Sequence, residues 1–403
     1  MSYSSSISPG RRRAGAGLPG QSLKSHCRDF RLKQGRGEEE MAHIVVERRL
    51  EVPMWLSIAV PFLSLCLALI IAAIVFVAQG IDPIAVYGAI LPRVVATEAG
   101  LSFVVLKLIP LLLCAIGLTL VFKAQVWNIG AEGQLLLGSI AATGLALFVL
   151  PNAPTLLLIP TMFLAGFLAG AVWALIPAIL KVKLNVNEVI TTLMMNYIAY
   201  KLVEYLIYGP WRGKRAWGFP ITDVLPVKLP TIPGTSIHYP TLLVAVTSAI
   251  AIAFVIEKTK FGYEVKVFGS NPDLARAAGV RSGKVIVLCM LLSGGLAGIA
   301  GVGEVAGVHG RLMYPWSIAA GYGYTAIIVA WLARLNPLAC ILTSFLMGTL
   351  LVAGSMMRTS FDVPYASVNI FNGLTLLCLV AGEVLLRYRV KLVFYGRGGG
   401  VSP

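Results

Sequence analysis

The chain alternates long apolar runs with short polar connections, and the runs carry most of its structural information. Ten can be marked: Met54 to Val77, Leu101 to Phe122, Gln134 to Leu150, Leu156 to Leu180, Val189 to Tyr208, Leu242 to Ile256, Val285 to Gly303, Ile318 to Leu332, Pro337 to Met357 and Ala366 to Leu386. A helix of roughly 20 apolar residues matches the hydrocarbon thickness of a bilayer. Between Pro53 and Gln79 no side chain is charged, and each Leu, Ile, Val or Phe there favours insertion. The pattern predicts an all-α polytopic membrane protein of about ten transmembrane helices, two of the runs being short for a full crossing.

Composition agrees, since 57% of residues are hydrophobic and 13% charged, against about a quarter charged in soluble domains. A net charge of +15 in a soluble protein points to nucleic acid, but here the basic residues gather in alternate connections. The charge therefore reads as topology, with no nucleic-acid partner and with lipid around the spans. Placing both termini in the cytoplasm puts 14 basic residues on the inner side, among them Lys123, Lys181, Lys183, Arg334 and the run from Lys258 to Lys284. Eight fall outside: Arg93, Lys107, Arg212, Lys214, Arg215, Lys228, Arg311 and Arg358. That bias follows the positive-inside rule, although Arg212 to Arg215 oppose it.

Residues 1–40 are rich in Ser, Gly and Arg and read as disordered, or as lying upstream of a true start at Met41. Residues 41–403 form the membrane domain, with a cytoplasmic loop at 258–284. The first apolar run is too long and too late for a cleavable signal peptide. Six scattered cysteines have no metal-ligand spacing and read as packing residues. The connection Gly209 to Pro240 holds six prolines and reads as an ordered, non-helical outer crossover. Its Trp211 and Trp217 suit interfacial anchoring better than docking a partner.

Polar residues within the runs mark the candidate site. The segment from Trp127 to Gln134 places Asn128, Glu132 and Gln134 between glycines, a composition that a lipid-facing helix does not tolerate. Two readings stand: a break lining the substrate pathway, or a turn whose polar atoms satisfy one another and cap the next helix. Thr192, Asn196, Tyr200 and Glu204 recur every four residues as a polar stripe, which lines a path unless Lys201 simply neutralises Glu204. Asn372 joins Asn128, Gln134 and Asn196 as an uncharged amide able both to donate and to accept. Ser293, Gly294, Ala297, Gly298 and Gly301 form a small-residue pattern suited to close helix packing.

Within the cytoplasmic loop, Asn271 is a helix cap, Pro272 suits the first helical position, Asp273 favours the dipole and Gly279 suits the residue past the end. A short helix from Pro272 to Ala278 results, with small Ala275 and Ala278 suited to a partner's groove, the alternative being an amphipathic turn resting on headgroups. No phosphate-binding loop, metal set or catalytic constellation occurs, so no cofactor is expected and the energy comes from outside the chain.

The segments FKAQVWNIGAEGQLLLGS (122–139), NEVITTLMMNY (187–197) and FGYEVKVFGSNPDLARAAGV with SGGLAGIAG (261–301) resemble permeases of the branched-chain amino acid and simple-sugar class of ABC importers, most nearly those for nucleosides or simple sugars. The resemblance covers roughly Met54 to Arg389 and departs at Gln125, where many relatives have a glycine nearby. It implies a type II importer fold in the inner membrane, with a cytoplasmic ABC ATPase and an extracytoplasmic solute-binding protein or lipoprotein. It also implies a second permease, often a different chain, and it maps ATPase coupling onto Asn271 to Gly279. The expected cargo is a neutral, ring-bearing polar solute, nucleosides ahead of simple sugars, with Tyr314, Trp316, Tyr322 and Tyr324 as stacking candidates. An ion-coupled secondary transporter using Glu132, Glu188, Glu204, Glu304 or Glu383 is the main alternative, and a branched-chain amino acid permease is another.

Overall fold

The computed structural model describes residues 42–48, 53–214, 218–361 and 363–394. The extension 1–40 and Trp217 lie outside the described residues. The chain runs through α1 (Met54–Ala78), α2 (Pro83–Val95), α3 (Glu98–Lys123), α4 (Ala131–Gly144), α5 (Thr155–Leu184), α6 (Glu188–Tyr208) and α7 (Tyr239–Lys258). It continues through α8 (Lys260–Ser270), α9 (Pro272–Ala277), α10 (Ser282–Val302), α11 (Pro315–Ala319), α12 (Tyr322–Leu332), α13 (Ala339–Phe361) and α14 (Tyr365–Arg387). Helices α4 and α10 extend as π-helical turns over Leu145–Val149 and Gly303–His309.

Among the described residues, six helices are long and apolar enough to cross a membrane: α3, α4 and α10 with their extensions, α5, α7 and α13. Shorter apolar stretches lie in α1, α2 and α14. Helix α6 has 21 residues, but Glu188, Asn196, Lys201 and Glu204 keep it out of that group.

Three features depart from the expected pattern. A short helix, α2, fills the region 83–95, started by the Asp82 side chain, which accepts from the Ile84 N–H, and by Pro83 at the first position. The run Ile318 to Leu332 is broken into α11 and α12, because Ala320 and Gly321 both take left-handed backbone (φ 45° and 77°). The fold is also not purely helical, since Ala42–Arg48 (β1) and Tyr388–Phe394 (β2) pair as a two-stranded sheet. Both strands are rich in residues that favour extended backbone.

Helix α3 is encased on nearly every side, and α10 packs against α3, α4 and α5. Small residues permit the approach. A Cβ on Gly298 would fall 2.1 Å from the Gly166 carbonyl oxygen, and one on Gly170 would fall 2.1 Å from that of Gly294. Gly138 meets Gly298 equally closely, while Gly301 lies on the Leu135 carbonyl and accepts from Ser139 Oγ at 3.0 Å. Ala297 is fully buried, and Ser293 lies against Gly117 of α3. The Gly166 and Gly170 pair of α5 is thus the counterpart of the α10 pattern, a partner that the sequence reading does not name.

The proline-rich connection from Gly209 to Pro240 is strapped to the end of α10 by backbone bonds from Thr222 to Leu312, Leu225 to Gly310 and Leu229 to Ala306. Trp211 packs on Gly144 and Phe148.

Candidate functional site

The polar site forms where the chain breaks between α3 and α4. Helix α3 ends at Lys123, and Gln125 takes left-handed backbone (φ 55°) while the Val126 N–H donates to the Val121 carbonyl. This is a helix stop usually built on glycine, so the departure at Gln125 keeps the geometry at a steric cost of about 1–2 kcal/mol. Trp127 then packs on Phe122 and Trp331, with its N–H directed at Glu188, which pairs with Lys181 at 2.8 Å.

Asn128 is fully buried and uses all of its side-chain hydrogen-bonding capacity inside the chain. Its Nδ2 donates to Gln134 Oε1 at 3.0 Å and to Ser293 Oγ at 3.1 Å. Its Oδ1 accepts from the Gly130 N–H at 2.9 Å and from Gln134 Nε2 at 3.1 Å. Such reciprocal amide pairing holds a loop in one conformation, because a buried group left without its partner costs about 1–3 kcal/mol. Ser293 stands near the middle of α10, so the break is tied to the middle of a long apolar helix.

Asn196 performs a similar bridging role from α6. Its Oδ1 accepts from the Gly133 N–H at 2.9 Å, and its Nδ2 donates to the Ile129 carbonyl and to Tyr324 Oη at 2.9 and 3.0 Å. One turn earlier, Thr192 Oγ1 accepts from the Ile129 N–H and donates to the Glu188 carbonyl.

Glu132 is the charged centre of the cluster and is fully buried. Tyr200 Oη donates to Oε1 at 3.0 Å, the Gly321 N–H to Oε1 at 2.8 Å and the Gly323 N–H to Oε2 at 2.7 Å. The carboxylate therefore sits at the start of α12 while belonging to the first turn of α4, so the positive ends of two helices converge on it. Such a site tolerates one negative charge without a buried cation.

The structure brings together Asn128, Glu132, Gln134, Asn196 and Ser293. Asn372 stands apart on α14 beside Gly354, its Oδ1 without a hydrogen-bond partner in the described structure. Among the aromatics, Tyr322 is buried and accepts from Lys107, which lies within α3 and not in an outer connection. Trp316 is 57% exposed and stacks on Tyr200, while Tyr197, absent from the sequence-level candidates, is 59% exposed on α6.

In the loop 258–284, Asn271 caps α9 by accepting from the Asp273 and Leu274 N–H groups, and Gly279 is left-handed at φ 79°. The helix ends at Ala277, one residue before the expected end, with Ala278 as its cap. Asp273 pairs with Arg276. Ala275 is fully buried and turned into its own chain, whereas Ala278 is exposed and Leu274, the large apolar residue of this helix, is 59% exposed. Helix α8 lies so close beneath α3 that a Cβ on Gly269 would overlap the Lys123 carbonyl. The loop and the polar break are therefore mechanically adjacent.

Comparison with known proteins agrees with this architecture. Residues 100–380 match the family described as the branched-chain amino acid transport system permease component. The chain is 38% identical to the glucose ABC transporter permease protein TsgB13 of Haloferax volcanii, over 88% of this chain and 95% of that one. It is 28% identical to the guanosine ABC transporter permease protein NupP of Bacillus subtilis, over 82% and 94% of the two chains. It is also 28% identical to the nucleoside ABC transporter permease protein NupB of Lactococcus lactis, over 78% and 88%. No solved structure matches the chain. A permease component works with a separate ATPase and a binding protein, and carries no ATPase of its own. With six helices able to cross a membrane and the family match spanning most of the chain, this protein belongs to the ABC transporter permeases of the branched-chain amino acid transport family.

Proposed function

We propose that this chain forms one wall of the translocation path of an ATP-driven importer in the cytoplasmic membrane, with both termini cytoplasmic and about ten crossings in the type II arrangement. The cargo is a neutral, polyhydroxylated ring solute, a simple sugar or a nucleoside. One observation carries the reading: α6 packs on α4 and α5 along one face, and its open face carries Tyr197 and the Lys201–Glu204 pair (2.7 Å) well inside the helix. A charged pair facing lipid is costly, so this face borders water or another subunit. The pair is neutral overall, which suits an uncharged cargo.

Asn128, Glu132, Gln134 and Asn196 then hold the wall in shape, while Asn372 stands apart on α14. A second permease covers the opposite side. The putative glucose ABC transporter permease protein TsgC13, also of Haloferax volcanii, supports a heterodimer. Helix α9 presents Leu274 to the ATPase, with Asn271, Pro272, Asp273 and Gly279 fixing its geometry and Ala275 seating it on the membrane body. An extracytoplasmic binding protein or lipoprotein delivers cargo to the outer crossover.

Sugars stand beside nucleosides here because the 38%-identical relative is named for glucose and the 28%-identical ones for guanosine and nucleosides. Uptake of radiolabelled glucose, guanosine and leucine into vesicles holding the full complex tests the cargo. Transport of glucose or guanosine is expected, and transport of leucine alone would overturn it.

A further inference from the structure

We infer that the Trp316 indole is a stacking platform for the ring of the cargo on its way through, with the Lys201–Glu204 pair, on the α6 stretch that carries Tyr200, available for the hydroxyl groups. This rests on the reading that α6 lines the path. Trp316 stacks on Tyr200 with ring centroids 4.9 Å apart and planes inclined by 20°. Tyr200 is itself fixed, since it is buried and its hydroxyl donates to Glu132. One indole face is thereby occupied, while the residue stays 57% exposed. Tyr197 lies one turn before Lys201 at 59% exposure, and Tyr314, two residues before Trp316, is 41% exposed. Exposed aromatics and an ion pair therefore share this stretch of α6 and the neighbouring α11.

Anchoring at the headgroups is the ordinary use of an exposed tryptophan near a membrane surface. Depth argues against it here. Tyr200 lies four residues from the buried Asn196, about 6 Å along α6. Trp316 is only five residues before Gly321, whose N–H reaches Glu132. The indole therefore stands close to the polar cluster, one ring away from the tyrosine that bonds Glu132. An aromatic plane beside donors and acceptors matches a ring with one apolar face and a hydroxylated edge, a chemistry that a pyranose and a nucleoside share.

The test uses the complete complex in vesicles with ATP supplied, comparing wild type, Trp316→Phe and Trp316→Leu on both glucose and guanosine. Copurification of partners controls for assembly, and Trp316→Met replaces Trp316→Leu where the latter fails to assemble. Trp316→Phe is expected to keep uptake within about twofold, and Trp316→Leu to lower it about tenfold. Loss for one solute alone identifies which ring the platform serves. Equal uptake by wild type and Trp316→Leu sinks the platform alone, whereas a wild-type complex that moves neither solute sinks the functional reading and the platform with it. As an independent check, Ser317→Cys is exposed beside the indole, so saturating cargo must slow its labelling by an impermeant maleimide. Unchanged labelling overturns the proposal.

Discussion

The Gly323 N–H donates to the Glu132 carboxylate at 2.7 Å, and a Cβ on Gly323 would fall 2.3 Å from the Glu132 backbone nitrogen. The same contact thus fixes a charge and forbids a side chain. Gly323→Ala is expected to lower the stability of the purified protein by about 1–3 kcal/mol through forced separation of α4 and α12. Glu132→Gln keeps the shape, but it turns an amide N–H₂ toward N–H donors and loses the charge-assisted bonds, at about 1.5–3 kcal/mol. Thermal unfolding in detergent measures both, and wild-type melting of Gly323→Ala would show that the two helix starts are free to part.

The α5–α10 contact yields a second prediction. Because the glycines at 166, 170, 294 and 298 meet backbone to backbone, even a methyl group is too large. Gly298→Ala should destabilise the protein by about 1–3 kcal/mol, while Ala297→Gly on the same turn costs about 1 kcal/mol from helix propensity and lost packing. Melting temperatures that rank the two in the reverse order would contradict the packing account.

Coupling gives a third. Leu274 is the exposed apolar residue of α9, and Ala275 is buried beneath it. In the assembled complex, Leu274→Glu should leave the permease in the membrane yet separate ATP hydrolysis from uptake. Ala275→Glu should instead reduce the amount of folded permease, since it forces an unpaired charge into the interior. Full coupling in Leu274→Glu would move the contact off this helix.

His238, at the start of α7, supplies a pH dependence. Its ring lies against Gly303 and Gly307, and neither nitrogen has a hydrogen-bond partner in the described structure. Burial lowers its pKa below the ordinary 6.5, with nearby Glu304 opposing part of that shift. The unfolded chain therefore binds the proton more readily, so this contribution to stability is present above pH 6.5 and is lost as the pH falls toward the depressed value. The drop in melting temperature between neutral and mildly acidic pH should shrink in His238→Gln. An unchanged drop would assign it to other groups.

Much of this architecture is legible in the sequence because membrane insertion depends on unbroken hydropathy. Helices α1, α3 and α10 follow directly from their runs. Helix α2 is less visible, being short and carrying Pro92, and the break at Ala320 depends on a left-handed backbone that hydropathy does not encode. Asn128, Glu132, Gln134 and Asn196 stand out as polar residues in apolar surroundings. Their partners do not: Glu132 is joined to Gly323 across 191 positions, and Asn128 to Ser293 across 165. The short helix in the loop 258–284 is readable from Asn271, Pro272 and Gly279. Its outward face is not, because whether Ala275 or Leu274 points away is decided by packing against α8 and α10.

The central claim is that this chain moves its cargo only with energy from a separate ATPase. The direct measurement is uptake of radiolabelled glucose and guanosine into proteoliposomes, comparing the full complex supplied with ATP against the purified chain alone under a proton or sodium gradient. Uptake is expected only in the complex, only with ATP, and to vanish when the ATPase is inactivated. Gradient-driven uptake by the chain alone would contradict the account and make the protein an ion-coupled transporter.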